Sequence, residues 1–318
     1  MRLSVVIPAY NEAGNIGATA NELLSATSAV PGIDDIEIIV IDDRSSDGIL
    51  DKIAGMGDPR IICIRLSRRS GSHTAMRAGI REATGDLVLC ISADGQDDPS
   101  CIGLMIEKCR SGADVVWALR KSRKAEPWHI RKPAQAFYRI LELLGGVKDT
   151  HIDMSRAGFC LMDKTVARAV NDCLERKTSL FGLIVWLGFN QDSVEYGRRP
   201  RRSGTSGWSF GRYVTLAKDW IIGFSGLPIT LMSVFGGFVI LTGFIYALYI
   251  IMKAFSGRAV SPWQPIMTAV LLLGGIQMVM LGVIGEYIWH NLDESRKRPL
   301  YLIEKRSDRL QKEGKKRI

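Results

Sequence analysis

The chain has 318 residues with 42 Lys and Arg against 33 Asp and Glu, a net charge of +9. Its mean hydropathy of +0.08 beside 24% charged residues requires the apolar residues to be gathered in blocks. The basic residues sit beside those blocks, which argues against a nucleic-acid-binding role. Six cysteines without a CxxC pair or a zinc-like His partner argue against a metal finger and read as reduced thiols.

The first 120 residues alternate short apolar runs with helical patterns. "LSVVIP" (3–8), "IEIIVID" (36–42), "RIICIRL" (60–66), "DLVLCIS" (86–92) and "ADVVWAL" (113–119) are nearly continuous in Val, Ile and Leu. Strands covered on both faces look like this. The spacing predicts helices over 12–27, 46–54, 72–83 and 100–110 between them. Such alternation implies an α/β fold with a mostly parallel sheet, whose ligands bind at the carboxyl ends of the strands. Beyond a basic segment from Lys121, a helix is expected over 131–144 and a strand over 157–162. Helices near 163–172 and 179–187 follow.

"WSFGRYVTLAKDWIIGF" (208–224) sets Arg212 and Lys218 among aromatics, a pattern of an interfacial helix or of an ordinary surface helix. No charge interrupts Leu227–Met252 or Trp263–Gly285. Each run exceeds the roughly 20 residues that span a bilayer, so two transmembrane helices joined by 253–262 are expected. Arginines at 198, 199, 201 and 202 precede them, and ten Lys or Arg against three acids follow from 296 to 318. The positive-inside rule puts both flanks in the cytoplasm and the short loop outside, in an inner or plasma membrane. Leu3 already starts a strand-like run, so no signal peptide is expected. The expected organisation is 1–207 catalytic domain, 208–225 interfacial helix, 226–290 membrane hairpin and 291–318 basic tail. Self-association stays open.

Polar residues follow the runs where ligands would bind. "PAYNE" ends the first, and "DDRSSDG" the second; carboxylates there suit a base edge and ribose hydroxyls, or cap the next helix. "LSRRSGSH" offers Arg68 and Arg69 before a helix start, suited to phosphate, with His73 a ligand or a helix-start residue. "SADGQDDPS" brings Asp94 and Gln96 to one side of an extended segment. A few oxygen ligands completed by a diphosphate favour Mg2+ or Mn2+, while Asp98-Pro99-Ser100 reads as a helix start.

In this order, "VVIPAYNE", "EIIVIDDRSSD", "SADGQDDP", "RRPRRSGTS" and "GEYIWHNLDESRKRPLY" (285–301) resemble the GT-A glycosyltransferases of family two. Within them they resemble the polyprenyl-phosphate glycosyltransferases, which include dolichol-phosphate mannose synthase and bactoprenol glucosyltransferases. The resemblance runs from Leu3 to about Leu302. It implies a GT-A, Rossmann-like catalytic domain that moves a hexose from a nucleotide-diphosphate sugar to polyprenyl phosphate at the membrane face. By position it assigns Pro8, Tyr10, Glu12, Asp43 and Arg68 to the nucleotide sugar, and Asp94 and Gln96 to the metal. Arg120 and Arg131 fall to the acceptor phosphate and Arg201 to the donor diphosphate. Three departures stand out: Ser92 and Gly158 where the family has carboxylates, and Gly207 where it has a lysine. Asp153 is the substitute candidate for a base, beside Asp94 and Arg131 as catalytic residues. A UDP-hexose is favoured over GDP-mannose. A non-catalytic nucleotide-sugar-binding scaffold is the alternative, and the Gln-x-x-Arg-Trp motif of processive synthases is absent.

Overall fold

The computed structural model describes residues 1–121, 152–175, 178–200, 227–255 and 263–307. Chain order begins β1 (Arg2–Ala9), α1 (Ala13–Ser28), β2 (Asp35–Asp42), α2 (Ile49–Met56), β3 (Ile61–Leu66), α3 (Ser72–Glu82) and β4 (Leu87–Cys90). It continues with α4 (Ile102–Arg110), β5 (Val115–Arg120), β6 (Ala157–Asp163), α5 (Lys164–Asp172), α6 (Leu180–Trp186) and β7 (Gln191–Tyr196). Two long helices, α7 (Leu227–Phe255) and α8 (Trp263–Ser295), precede a final strand, β8 (Ile303–Arg306).

The strands form one sheet in the order β7-β5-β6-β4-β1-β2-β3-β8. β1 runs parallel to β2 and β4, β2 to β3, and β5 to β7, while β6 and β8 pair antiparallel with their neighbours. The apolar runs are strands because both of their faces are covered. Val5, Ile7, Ile38 and Val40 meet Ile16, Leu23, Ile53 and Ile106 of α1, α2 and α4. On the other face Val6, Val88 and Trp117 meet Ile80 of α3, Val166 and Val170 of α5, and Leu183 of α6. Ile39, Ile41 and Ile64 pack on Ala75 and Ala78 of α3. Each such side chain contributes about 1.5–3 kcal/mol by leaving water. Polar residues fix where the helices begin. Asp163 Oδ1 accepts the Val166 N–H at 2.8 Å at the start of α5, and Ser179 Oγ accepts the Gly182 N–H at 3.5 Å ahead of α6.

Two strands were not foreseen. In β7, "QDSVEY", only Val194 and Tyr196 are buried. β8 lies within the segment read as a basic tail, and it closes the β3 edge of the sheet. The Ser67 N–H donates to the Leu302 carbonyl at 2.9 Å and the Cys63 N–H to Ser307 Oγ at 2.8 Å. Arg306 pairs with Glu82 at 2.6 Å, and Glu304 pairs with Arg44 and, at 3.4 Å, with Arg65. The chain therefore leaves the domain, runs through α7 and α8, and returns to the same sheet.

α7 and α8 contain 29 and 33 residues and pack against each other. Phe238, Phe244, Met278 and Leu281 are among the large apolar side chains on their exposed surface. Counting only described residues, no helix is long and apolar enough to cross a membrane. The expected helices over 131–144 and 208–224 and the loop 256–262 lie outside the described residues, as do Arg131 and Arg201.

Candidate active site

The loops that follow the parallel strands are tied to one another at a single end of the sheet. After β1, Asn11 adopts φ +55° and its N–H donates to Ser45 Oγ at 3.0 Å. Asn11 Oδ1 in turn accepts the Ser46 N–H at 2.9 Å, and Asp47 Oδ2 accepts the Ala13 N–H at 2.7 Å. Asp42 is wholly buried, accepts the Ser45 N–H at 2.7 Å and meets Arg65 at 3.2 Å. The β1 and β2 loops thus form one wall.

Asp43 joins that wall to the loop after β3. One carboxylate oxygen accepts the Ser70 N–H at 2.6 Å and the other the Gly71 N–H at 2.8 Å, where Gly71 opens α3 with φ +90°. Burial raises the Asp43 carboxyl above its ordinary range, against the pull of those two donors and of Arg69. Asp43 therefore shapes the phosphate-suited loop. Arg69 lays its guanidinium over the exposed ring of Tyr10, 3.7 Å from the centroid. Arg68, the arginine singled out by position, is exposed. Pro8 lies opposite Ile41 one residue before the end of β1, and Glu12 Oε2 accepts from Asn15 Nδ2 at 2.5 Å at the start of α1.

The segment after β4 holds the acids. Asp94 Oδ1 accepts the Gln96 N–H at 3.1 Å and lies 2.9 Å from Ser92 Oγ. Ser92 Oγ is also 2.6 Å from Oδ2 of Asp97, which is only 7% exposed. Asp97 Oδ1 accepts the Tyr196 hydroxyl at 2.5 Å. Burial and the adjacent Asp97 raise the Tyr196 phenol well above its usual range, so it stays a donor. Gln96, expected to offer its amide oxygen beside Asp94, gives it to Arg198 at 2.6 Å. Asp98 accepts the Ser100 N–H at 3.0 Å, which is the helix start anticipated at Asp98-Pro99, and also binds Arg199 at 2.7 Å.

Asp97, Tyr196 and Arg198 thus belong to the site although sequence reasoning did not select them. Arg120 ends β5 directly beside Tyr196, its partner in register, and its positive charge acts on the phenol. Asp153 is exposed ahead of β6, its carbonyl accepting the Arg156 N–H at 2.9 Å. His73 is a packing residue. Its Nδ1 accepts the Leu180 N–H at 3.1 Å, its ring meets Phe181 edge-on, and burial lowers its pKa to about 4. All six cysteines are free thiols, and burial raises that of Cys101 to about 12, in keeping with inert reduced groups.

Among the described residues no group of three or more His, Cys, Asp or Glu forms a ready metal cage. The donor set still suits a hard cation. Asp94 Oδ1, Ser92 Oγ and Asp97 Oδ2 stand in a row with one hydroxyl hydrogen among them. If the nearer Asp97 takes it, the Ser92 lone pairs face the Asp94 carboxylate. A cation would offset that opposition, and Mg2+ or Mn2+ characteristically binds through one or two carboxylates plus substrate phosphates.

Residues 4–170 match the model of glycosyl transferase family 2, and residues 227–290 match the GtrB C-terminal hairpin. The chain belongs to glycosyl transferase family 2. An uncharacterized glycosyltransferase of Synechocystis is 35% identical, the match covering 95% of each chain. A prophage bactoprenol glucosyl transferase homolog of Escherichia coli is 32% identical over 96% of this chain and 99% of its own. The bactoprenol glucosyl transferase of Shigella phage SfX is also 32% identical, over 96% of this chain and all of its own. The fold is shared with glucosyl-3-phosphoglycerate synthase from Mycobacterium tuberculosis, crystallised with Mn2+, UDP-glucose and phosphoglyceric acid. That likeness has a TM-score of 0.50 at 16% identity, covering 70% of this chain and 77% of the other. This family 2 chain therefore has the GT-A fold and is a glycosyltransferase.

Proposed function

We propose that the protein transfers a hexose from a UDP-sugar to polyprenyl phosphate at the cytoplasmic face of a membrane, with α7 and α8 crossing the bilayer as a hairpin. The observation that carries this reading is the return of β8 to the sheet, which ties the C-terminal end of the hairpin to the catalytic domain. Read through every residue of the sequence, α7 carries no charge from Leu227 to Met252 and α8 none from Trp263 to Gly285. Those uncharged runs of 26 and 23 residues exceed the roughly 20 residues that span a bilayer. Their apolar outward surfaces suit lipid, and the basic flanks suit anionic headgroups. Two relatives are named bactoprenol glucosyl transferase or its homolog, and a lipid-linked phosphate is an acceptor that such an anchor keeps within reach.

The chemistry follows from the acceptor. A monoester phosphate has its second pKa near 6 and is largely dianionic at cytosolic pH, so attack needs no general base. Its oxygen attacks the anomeric carbon in line, the bond to the diphosphate breaks, and the nucleoside diphosphate leaves with the electron pair. The sugar inverts in a single displacement. Arg120 and Arg131 would hold the acceptor phosphate, and Arg201 the donor diphosphate. Tyr10 with Arg69, Glu12 and Asp43 would line the nucleotide pocket. Asp94, aided by Ser92, would hold Mg2+ or Mn2+, which when bound neutralises charge on the leaving diphosphate.

A donor panel tests the substrate assignment. Purified full-length protein with polyprenyl phosphate and labelled UDP-glucose, UDP-galactose, UDP-N-acetylglucosamine or GDP-mannose should label the lipid from a UDP-hexose. Labelling from GDP-mannose alone would refute the donor assignment.

A further inference from the structure

The acids after β4 continue into a buried polar line that ends on a different side of the site. Ser92 Oγ lies 2.9 Å from Asp94 and 2.6 Å from Asp97, and Asp97 accepts the Tyr196 hydroxyl at 2.5 Å. Arg120 stands beside the same phenol as its partner in register, and its charge acts on it. A phenol can donate once and also accept, so with its hydrogen given to Asp97 its oxygen is open to the Arg120 guanidinium. Its ring is held against Phe159, 5.1 Å between centroids, and is 3% exposed. Three strands build this arrangement. Tyr196 ends β7, Arg120 is its partner in register on β5, and β6 pairs with β5 on the other side. The β6 residue facing the phenol is Gly158. A Cβ there would stand 2.1 Å from the Tyr196 hydroxyl oxygen and 2.9 Å from the ring carbon bearing it. A glycine inside a strand commonly marks such a close approach.

We propose that Tyr196 is a positioning residue that locks the donor-side carboxylates, through Asp97 and Ser92, to Arg120 on the acceptor side, and that Gly158 lacks a side chain to admit its hydroxyl. The proposal rests on the reading above that Arg120 meets the acceptor phosphate. It assigns to the line Asp94–Ser92–Asp97–Tyr196–Arg120 the task of setting the spacing between the two substrates. Spacing matters because misplacement of about 1 Å can cost a hundredfold in rate. Removal of the phenol hydroxyl would leave a buried carboxylate oxygen and a guanidinium short of one partner each, a loss with consequences at both ends.

The test uses full-length protein in detergent, wild type beside Tyr196→Phe, Arg120→Ala, the double variant and Gly158→Ala. Tyr196→Phe keeps the ring and should lower kcat/KM for polyprenyl phosphate about tenfold, the size of one lost hydrogen bond to a charged group. The double variant should be no worse than Arg120→Ala alone, since both changes break the same link. Binding of Mn2+ with UDP to lipid-free protein, read by electron paramagnetic resonance, should weaken severalfold in Tyr196→Phe without any turnover. Gly158→Ala should reproduce both effects with every polar group retained. Should it fail to fold, as a lowered thermal midpoint would reveal, Tyr196→Phe carries the test. Tyr196→Phe within twofold of wild type in both readouts would overturn the proposal, as would losses from Tyr196→Phe and Arg120→Ala that multiply. Wild-type protein that labels no lipid would instead refute the acceptor reading and take the proposal with it. Arg120→Ala with an unchanged acceptor KM would overturn the Arg120 end alone.

Discussion

Replacing Ser92 by alanine isolates the hydroxyl standing between two carboxylates. Its oxygen is 2.6 Å from Asp97 and 2.9 Å from Asp94, so the substitution removes a hydrogen bond to a charged acceptor. Such bonds contribute about 1.5–3 kcal/mol, equivalent to about 10- to 100-fold in an equilibrium constant. If Ser92, held by Asp97, sets its oxygen beside Asp94 for a cation, this loss falls on metal affinity. The Mn2+ concentration giving half-maximal transfer should rise at least about tenfold, while the rate at saturating metal falls much less. Ser92→Asp should act in the opposite direction by setting a second carboxylate beside Asp94. It should tighten Mn2+ binding and also lower the thermal midpoint of the metal-free protein, because three acids would then crowd one turn. Titrating Mn2+ against transfer rate, with direct Mn2+ binding measured alongside, reads both variants. Unchanged half-saturation in Ser92→Ala, or weaker binding in Ser92→Asp, would refute the reasoning.

Other outcomes follow from the same geometry. Asp94→Ala should reduce turnover at least about a thousandfold, the scale of losing a group that stabilises transition-state charge, with the thermal midpoint little changed; near-normal turnover would mean the site lies elsewhere. His73 has a folded pKa of about 4 against 6.5 when unfolded, so the unfolded chain takes up the proton first as pH falls. The stability this confers is intact above pH 6.5 and is lost toward pH 4, about 3 kcal/mol at most. His73→Gln should therefore show a flatter thermal midpoint between pH 7 and 4.5, and parallel decline of the two proteins would contradict the burial argument. Ser307→Ala strips the buried Cys63 N–H of its acceptor and should cost about 1–3 kcal/mol; an unchanged thermal midpoint would show that the β8 clamp is inessential.

Much of the sheet was legible because its central strands are buried on both faces and read as unbroken apolar runs. β7 and β8 were not. As strands at the two edges of the sheet they carry polar and charged residues, and "IEKR" in particular reads as part of a basic tail until its pairing with β3 is seen. The site was legible where its residues are close in sequence, as in "DDRSSDG" and "SADGQDDPS". It was illegible where the chain must fold back on itself. Tyr196 lies 99 residues from Asp97, and a tyrosine closing a mixed-polarity segment gives no sign of its partner. Gly158 did give a signal, an unexpected glycine inside a strand, but only the facing phenol explains it. Arg69 rather than Arg68 reaches Tyr10, a choice that depends on the path of the loop after β3. Gln96 donates its N–H to Asp94, yet its amide oxygen goes to Arg198, a residue from beyond β7.

The acceptor is the centre of the account, and one extraction measures it. Purified wild-type protein is incubated with labelled UDP-glucose and Mn2+, with and without polyprenyl phosphate, and the label is partitioned between water and organic solvent. Label should enter the organic phase only when the lipid phosphate is present, in proportion to it until saturation. Nucleotide binding with no organic label at any lipid concentration would contradict it.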